Sequence, residues 1–160
     1  MPRVFVAAGS NVEPERNLAK AAAALAKDFP DIEFSPWYRN EAVGFEGEDF
    51  INFVVGFSTD LPVHDVVAKL RAVEALCGRE PGAPKYAPRS MDLDMLMYDQ
   101  LVSDEPGLIL PRPDLLRRSF MLKPLADIAP DVVVPGSGRT LGELWAAHAD
   151  HAQSMEVVAL

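Results

Sequence analysis

Two helical patterns set among short apolar runs constrain this chain more than any other feature. Residues from about Glu15 to Phe29 are alanine-rich and place Leu18, Ala22 and Leu25 on one face, which predicts an amphipathic helix. Pro62 can open a second helix, since a first-turn proline loses no intrahelical bond. Val63, Val66, Val67, Leu70, Val73 and Leu76 then carry the helical spacing to Gly78. Strand patterns flank both helices. Arg3 to Ala8 alternates poorly but is rich in Val and Phe and ends at a Gly9-Ser10-Asn11 turn signal, which predicts a buried first strand. Ile32 to Tyr38, Phe50 to Phe57 and Met91 to Tyr98 read as the second, third and fourth strands.

The resulting order is β-α-β-β-α-β. It predicts an α+β protein of the ferredoxin-like kind, in which two helices cover one face of an antiparallel sheet. The proline-dotted remainder, with Pro106, Pro111, Pro113, Pro124, Pro130 and Pro135, reads as a C-terminal extension of short helices and loops. With 160 residues and 49% hydrophobic side chains, the chain is expected to form one domain over residues 1–160. Arg39 to Asp49 is long for a hairpin connection, which is usually about two to five residues, and so reads as a functional flap.

Fifteen Lys and Arg against 24 Asp and Glu leave a net charge of −9, which argues against binding nucleic acid over a broad surface. The basic residues gather, however. Arg79, Lys85, Arg89, Arg112, Arg117, Arg118 and Lys123 fall in two segments holding only Glu80 and Asp114 as acids. Two such segments suit a focused site for a small polyanion, although clustering in sequence equally describes solvated surface arginines. The apolar stretch from Val4 to Ala8 is far too short for a signal core or a membrane span, so the expected setting is the cytoplasm, without membrane contact. The lone Cys77 has no disulfide partner and reads as a helix residue, and His64, His148 and His151 lack metal-ligand spacing.

Asp92 and Asp94 lie two apart in the fourth strand and therefore project to one face, with Leu96. Leu93, Met95 and Met97 are expected on the other. Paired carboxylates are hard oxygen ligands suited to magnesium ions that also hold substrate phosphates. Arg79, Lys85 and Arg89 precede them in a loop broken by Pro81, Gly82, Pro84 and Pro88, so cations for phosphate oxygens share the window 79–94 with the acids. Phosphoryl transfer needs both parts. A P-loop is excluded, because no Gly-x-x-x-x-Gly-Lys-Ser/Thr occurs. On the residues alone, a phosphoryl-transfer enzyme, a two-metal phosphohydrolase and a non-catalytic ligand-binding module all remain open.

Four elements in order narrow the choice: Gly9-Ser10-Asn11, Asp49-Phe50-Ile51-Asn52, Pro88-Arg89-Ser90-Met91-Asp92-Leu93-Asp94, and Arg118-Ser119-Phe120-Met121-Leu122 before Pro124-Leu125. Across nearly the whole chain they resemble the 6-hydroxymethyl-7,8-dihydropterin pyrophosphokinase family, for which the Pro-Arg-Ser/Thr-x-Asp-Leu-Asp element is close to diagnostic. The resemblance implies transfer of a pyrophosphoryl group from ATP to the pterin hydroxymethyl, with release of AMP, in folate synthesis. It implies two Mg2+ ions on Asp92 and Asp94 as cofactors, with ATP as co-substrate. Arg79, Lys85 and Arg89 would serve catalysis, and Arg71, Glu74, Arg79, Arg89, Arg112 and Arg118 the nucleotide. Asn40, Val43, Phe50, Asn52 and Phe120 would form the pterin pocket. Loops at about 40–49 and 79–88 would close over both substrates. The partners implied are these small molecules only. Four positions depart from the family pattern: Pro81 and Lys85 stand where some members have arginine, Tyr86 replaces a common tryptophan, and Asn40 a threonine. A fifth departure, Arg112, stands where histidine is usual.

Overall fold

The structure, a computed structural model, describes residues 1–40, 50–77, 91–148 and 156–158. At its centre runs β1 (Arg3–Ser10), paired antiparallel with β4 (Phe50–Ser58) on one side and β5 (Asp92–Tyr98) on the other. A strand buried on both faces has no reason to alternate, which accounts for the pattern of its sequence. Beyond β4 lie β2 (Glu33–Phe34) and β3 (Tyr38–Asn40), and β8 (Glu156–Val157) adds to β3.

The second strand of the sequence reading is thus two pieces. Phe34 pairs with Val55 and Tyr38 with Asn52, so one extra residue is absorbed across Ser35-Pro36-Trp37. Pro36 has no N–H to give the ladder. Ser35 compensates: its backbone N–H donates to Val54 O at 2.8 Å, and its hydroxyl oxygen accepts the Val54 N–H at 2.8 Å.

One face of the sheet packs on α1 (Pro14–Asp28) and α2 (Val63–Leu76). Leu18, Ala21 and Leu25 form the buried stripe of α1, with Ala21 rather than Ala22 at its centre. Val66, Leu70 and Val73 form that of α2, which ends at the buried Cys77. They enclose Val4, Val6, Ile51, Phe53, Val55, Phe57 and Leu93, with Phe29 stacked on Phe57 and Trp37 on Phe53. Burying this many large apolar side chains, at roughly 1.5–3 kcal/mol each, is the main stabilising term.

The C-terminal residues include the short helices expected from the sequence. They form a second layer of α3 (Asp114–Arg117), α4 (Ser119–Ile128) and α5 (Leu141–Ala146), which buries Met121, Leu122, Leu125 and Leu141 against Phe5, Val54, Leu96 and Met97. Thr140 and Glu143 cap α5 reciprocally. A hairpin of β6 (Ser103–Glu105) and β7 (Leu108–Leu110), turning at Pro106-Gly107, precedes this layer. Among the described residues no helix is long and apolar enough to cross a membrane.

Strict alternation along β5 fails at one point. Phe5 pairs with Met97 and Val6 with Met95, which leaves Leu96 as the extra residue of a bulge. Met97 is therefore turned to the same face as Leu96, in the layer under α4, and not to the face of Leu93 and Met95 where alternation would put it. Upstream of the bulge the expected phase holds.

Candidate active site

Gly9 of β1 stands between Asn52 of β4 and Asp92 of β5, and Ala7 stands between Val54 and Asp94. Two small residues on the central strand leave a depression between the side chains on either side. Gly9 and Ser10 belong to the strand, and the bend begins at Asn11, one correction to the sequence reading. A Cβ at position 9 would collide with Asn52 Oδ1, so glycine there lets the Asn52 amide keep its place. Phe50 lies two residues before Asn52 on the same face of β4, and the start of α4 roofs the depression with Arg118, Phe120 and Met121. The cavity, open to solvent on one side, is about 260 Å3 and is lined by Ala7, Ala8, Gly9, Phe50, Asn52, Asp92, Asp94, Arg118, Phe120 and Met121.

Both carboxylates face this cavity, as period-two spacing requires. Burial pushes the Asp94 carboxyl above the usual carboxylate range; the Arg112 and Arg71 guanidiniums oppose the shift, and Asp92 and Glu74 add to it. A desolvated acid beside a second acid gains from a divalent cation between them. Among the described residues no group of three His, Cys, Asp or Glu is poised around one metal position. The pair supplies hard oxygens and leaves the remaining positions to substrate and water, which fits Mg2+ and its habit of keeping waters and phosphate oxygens.

Arg71 and Glu74 stand behind β5. Arg71 Nη1 donates to Glu74 Oε1 at 2.7 Å and to Leu93 O at 3.0 Å, while Glu74 Oε2 accepts the Leu93 N–H at 2.8 Å. The pair clamps the peptide between the two aspartates, and Glu74 is buried. Arg112 flanks the acids, with Nη1 at 3.7 Å from Asp94 Oδ1.

Of the residues singled out from sequence, Asp92, Asp94, Asn52, Phe50, Phe120 and Arg118 meet around one cavity, with Arg112 beside them. Arg71 and Glu74 hold the strand's backbone and do not line that cavity. Asn40 ends β3 opposite Phe50. Val43, Arg79, Lys85 and Arg89 lie outside the described residues, as do the loop positions Pro81 and Tyr86 and the two loops expected to close. Sequence reasoning missed Ala7, Met121 and the steric role of Gly9. Small residues in the middle of an apolar strand were the available signal.

The sequence pattern of the 7,8-dihydro-6-hydroxymethylpterin-pyrophosphokinase (HPPK) family matches residues 5–130, from β1 through the end of α4. The chain belongs to this family. Among HPPK relatives, the 2-amino-4-hydroxy-6-hydroxymethyldihydropteridine pyrophosphokinase of Pseudomonas aeruginosa is 36% identical over 149 residues, covering 91% of each chain. The protein of the same name from Synechocystis is 35% identical, covering 87% of this chain and 72% of its own. That from Aquifex aeolicus is 34% identical, covering 84% and 85%. Two solved structures carry the same fold: an HPPK-DHPS protein in complex with substrates, with a TM-score of 0.70 at 10% identity, and wild-type Plasmodium falciparum HPPK-DHPS, with 0.71 at 11%. This chain is covered to 94% and 95% in these superpositions but spans only 44% and 45% of the two longer chains.

Proposed function

We propose that this member of the family transfers a pyrophosphoryl group from ATP to 6-hydroxymethyl-7,8-dihydropterin in folate biosynthesis. The pterin hydroxyl oxygen bonds to the β-phosphorus, the bond from that phosphorus to the bridging oxygen of the α-phosphate breaks, AMP leaves, and the hydroxyl proton passes to solvent. The observation that carries this reading is the shared cavity: Asp92 and Asp94 face the same space as Asn52 and Phe120.

Asn52 offers an amide able to pair with the donor and acceptor edge of a pterin, and Phe50 and Phe120 offer aromatic faces for its ring. Asn40 and Val43 complete that pocket in this reading. Arg118, exposed at the start of α4, is placed to take a phosphate oxygen, with Arg112 alongside. Arg79, Lys85 and Arg89 are proposed to bear on the transferring phosphoryl group, and Arg71 and Glu74 to support the nucleotide side by fixing Leu93. Two Mg2+ ions on Asp92 and Asp94 would neutralise triphosphate charge and lower the pKa of the pterin hydroxyl. The sheet order β5-β1-β4-β3, with α1 and α2 on one face, supports the ferredoxin-like reading, and we treat residues 1–160 as one domain. Its partners are small molecules, and its proposed setting is the cytoplasm.

The test is AMP release with purified protein, ATP, Mg2+ and 6-hydroxymethyl-7,8-dihydropterin. AMP formation that needs both pterin and metal is expected. Inorganic phosphate or pyrophosphate released without pterin would make the protein a hydrolase instead.

A further inference from the structure

Arg112 sits beside the acid pair without being bonded into it. Its backbone N–H donates to the carbonyl of Leu96, the bulged residue of β5, at 2.9 Å, which fixes the root of the side chain close to Asp94. From there Nη1 reaches 3.7 Å from Asp94 Oδ1, and Nε lies 3.6 Å from Asp114 Oδ2. Both are ion-pair separations too long for hydrogen bonds. Nε is buried and has no hydrogen-bond partner among the described residues. An arginine next to two carboxylates ordinarily forks onto one of them with two parallel bonds. Among the described residues the guanidinium is held by two ion pairs without a hydrogen bond, between Asp94 on the cavity wall and Asp114 at the start of α3.

We propose that Arg112 is an exchangeable counter-charge, which offsets Asp94 while no metal is bound and turns to a nucleotide phosphate when Mg2+ takes its place. The proposal rests on the pyrophosphokinase reading for its second half only. A guanidinium that breaks no hydrogen bond on leaving Asp94 can move at little cost, and its unsatisfied Nε–H gains an acceptor at the phosphate. Arg112 then competes with Mg2+ for Asp94 in the empty site, and the triphosphate relieves that competition. Mg2+ and nucleotide must therefore bind with positive coupling, each strengthening the other by the same factor. Asp92, Arg71 and Glu74 also surround Asp94, but Arg71 is committed to Glu74 and the Leu93 carbonyl and cannot make this exchange. A neutral side chain at position 112 would bind phosphate without competing for the acid.

The experiment is calorimetric titration of the whole chain with Mg2+ alone, with α,β-methylene-ATP alone, and with the two together. Arg112→Gln should bind Mg2+ alone about fivefold more tightly than the unaltered protein, the scale of one partly exposed ion pair. It should bind the ATP analogue about tenfold more weakly in the presence of Mg2+, and show weaker coupling. Asp114→Asn, which removes the second tether, should shift the guanidinium toward Asp94 and weaken Mg2+ binding in the absence of nucleotide. This variant reads the same competition should Arg112→Gln fail to fold. Unchanged or weaker Mg2+ binding by Arg112→Gln, or unchanged Mg2+ binding by Asp114→Asn, overturns the counter-charge. Unchanged analogue binding by Arg112→Gln overturns the exchange. If the analogue binds no variant and not the unaltered protein either, it is the pyrophosphokinase reading that fails, while the Mg2+-alone titrations still decide the competition at Asp94.

Discussion

Tyr38 of β3 donates its hydroxyl hydrogen to the Asp127 carboxylate of α4, so the strand next to Asn52 is tied to the helix that carries Phe120. Lys123 donates to the other oxygen of Asp127 and lies over the Trp145 ring. Burial, then the Asp127 hydrogen bond and charge, push the Tyr38 phenol far above its ordinary value, so it remains a donor throughout the accessible pH range. Tyr38→Phe should cost about 1.5–3 kcal/mol, as expected for a hydrogen bond to a charged group. It should also weaken pterin binding more than ATP binding, because the roof loosens over the pterin end. Urea unfolding and separate ligand titrations check both, and equal losses for the two ligands would contradict the positioning role.

In Gly9→Ala the added methyl would collide with Asn52 Oδ1. Either the amide turns out of the cavity or the two strands part. The expected cost is about 1–3 kcal/mol of stability, with pterin affinity lowered by roughly tenfold or more. Gly9→Ala protein that unfolds cooperatively yet binds pterin normally would show that the amide does not face the ligand.

Asp94→Asn separates folding from function. Burial holds the Asp94 carboxyl above its unfolded value, so the folded state keeps its proton more readily than the unfolded one. That contribution to stability is fully present below the ordinary carboxylate pKa and is lost as pH rises through the raised one. Near neutral pH, without Mg2+, Asp94→Asn should therefore melt higher than the unaltered protein, and the gap should close on acidification. Mg2+ should raise the melting temperature of the unaltered protein but not of the variant, and the variant's AMP release should fall by about a hundredfold or more. A variant less stable at every pH would mean that Arg112 and Arg71 already outweigh burial.

Ser35→Ala leaves the fully buried Val54 N–H without the hydroxyl it now donates to. A loss of about 1–3 kcal/mol is expected, with substrate affinities unchanged, because Ser35 lies away from the cavity. Chemical denaturation and pterin titration of the same sample check it.

Periodicity made both helices and the common orientation of Asp92 and Asp94 legible, because each is a local property of spacing. What escaped was set by single residues or by distant contacts. Pro36 divided an apolar run that otherwise reads as one strand. One extra residue at Leu96 sent Met97 to the other side, which no count along β5 can foresee. The layer under α4 was hidden because its helices are short and α4 itself contains Pro124. Leu115, Met121, Leu122, Leu125 and Leu141 are recognisable as a core only when the sheet supplies their second half. The pairing of Glu156 and Val157 with β3 depends on a partner more than a hundred positions away.

The bulge in β5 also divides labour along a single strand. Before Leu96, the cavity side carries carboxylates; after it, two neighbouring apolar residues enter one hydrophobic layer. The carbonyl of the surplus residue is the one that receives the Arg112 amide. Deleting that one residue would restore a regular ladder with Met97 and Tyr98 still on their present faces, and its cost would fall on the hydrophobic layer and on the cation that faces Asp94, which would lose its mooring. A flaw in the weave is thus what lets a wet edge and a dry interior share one thread.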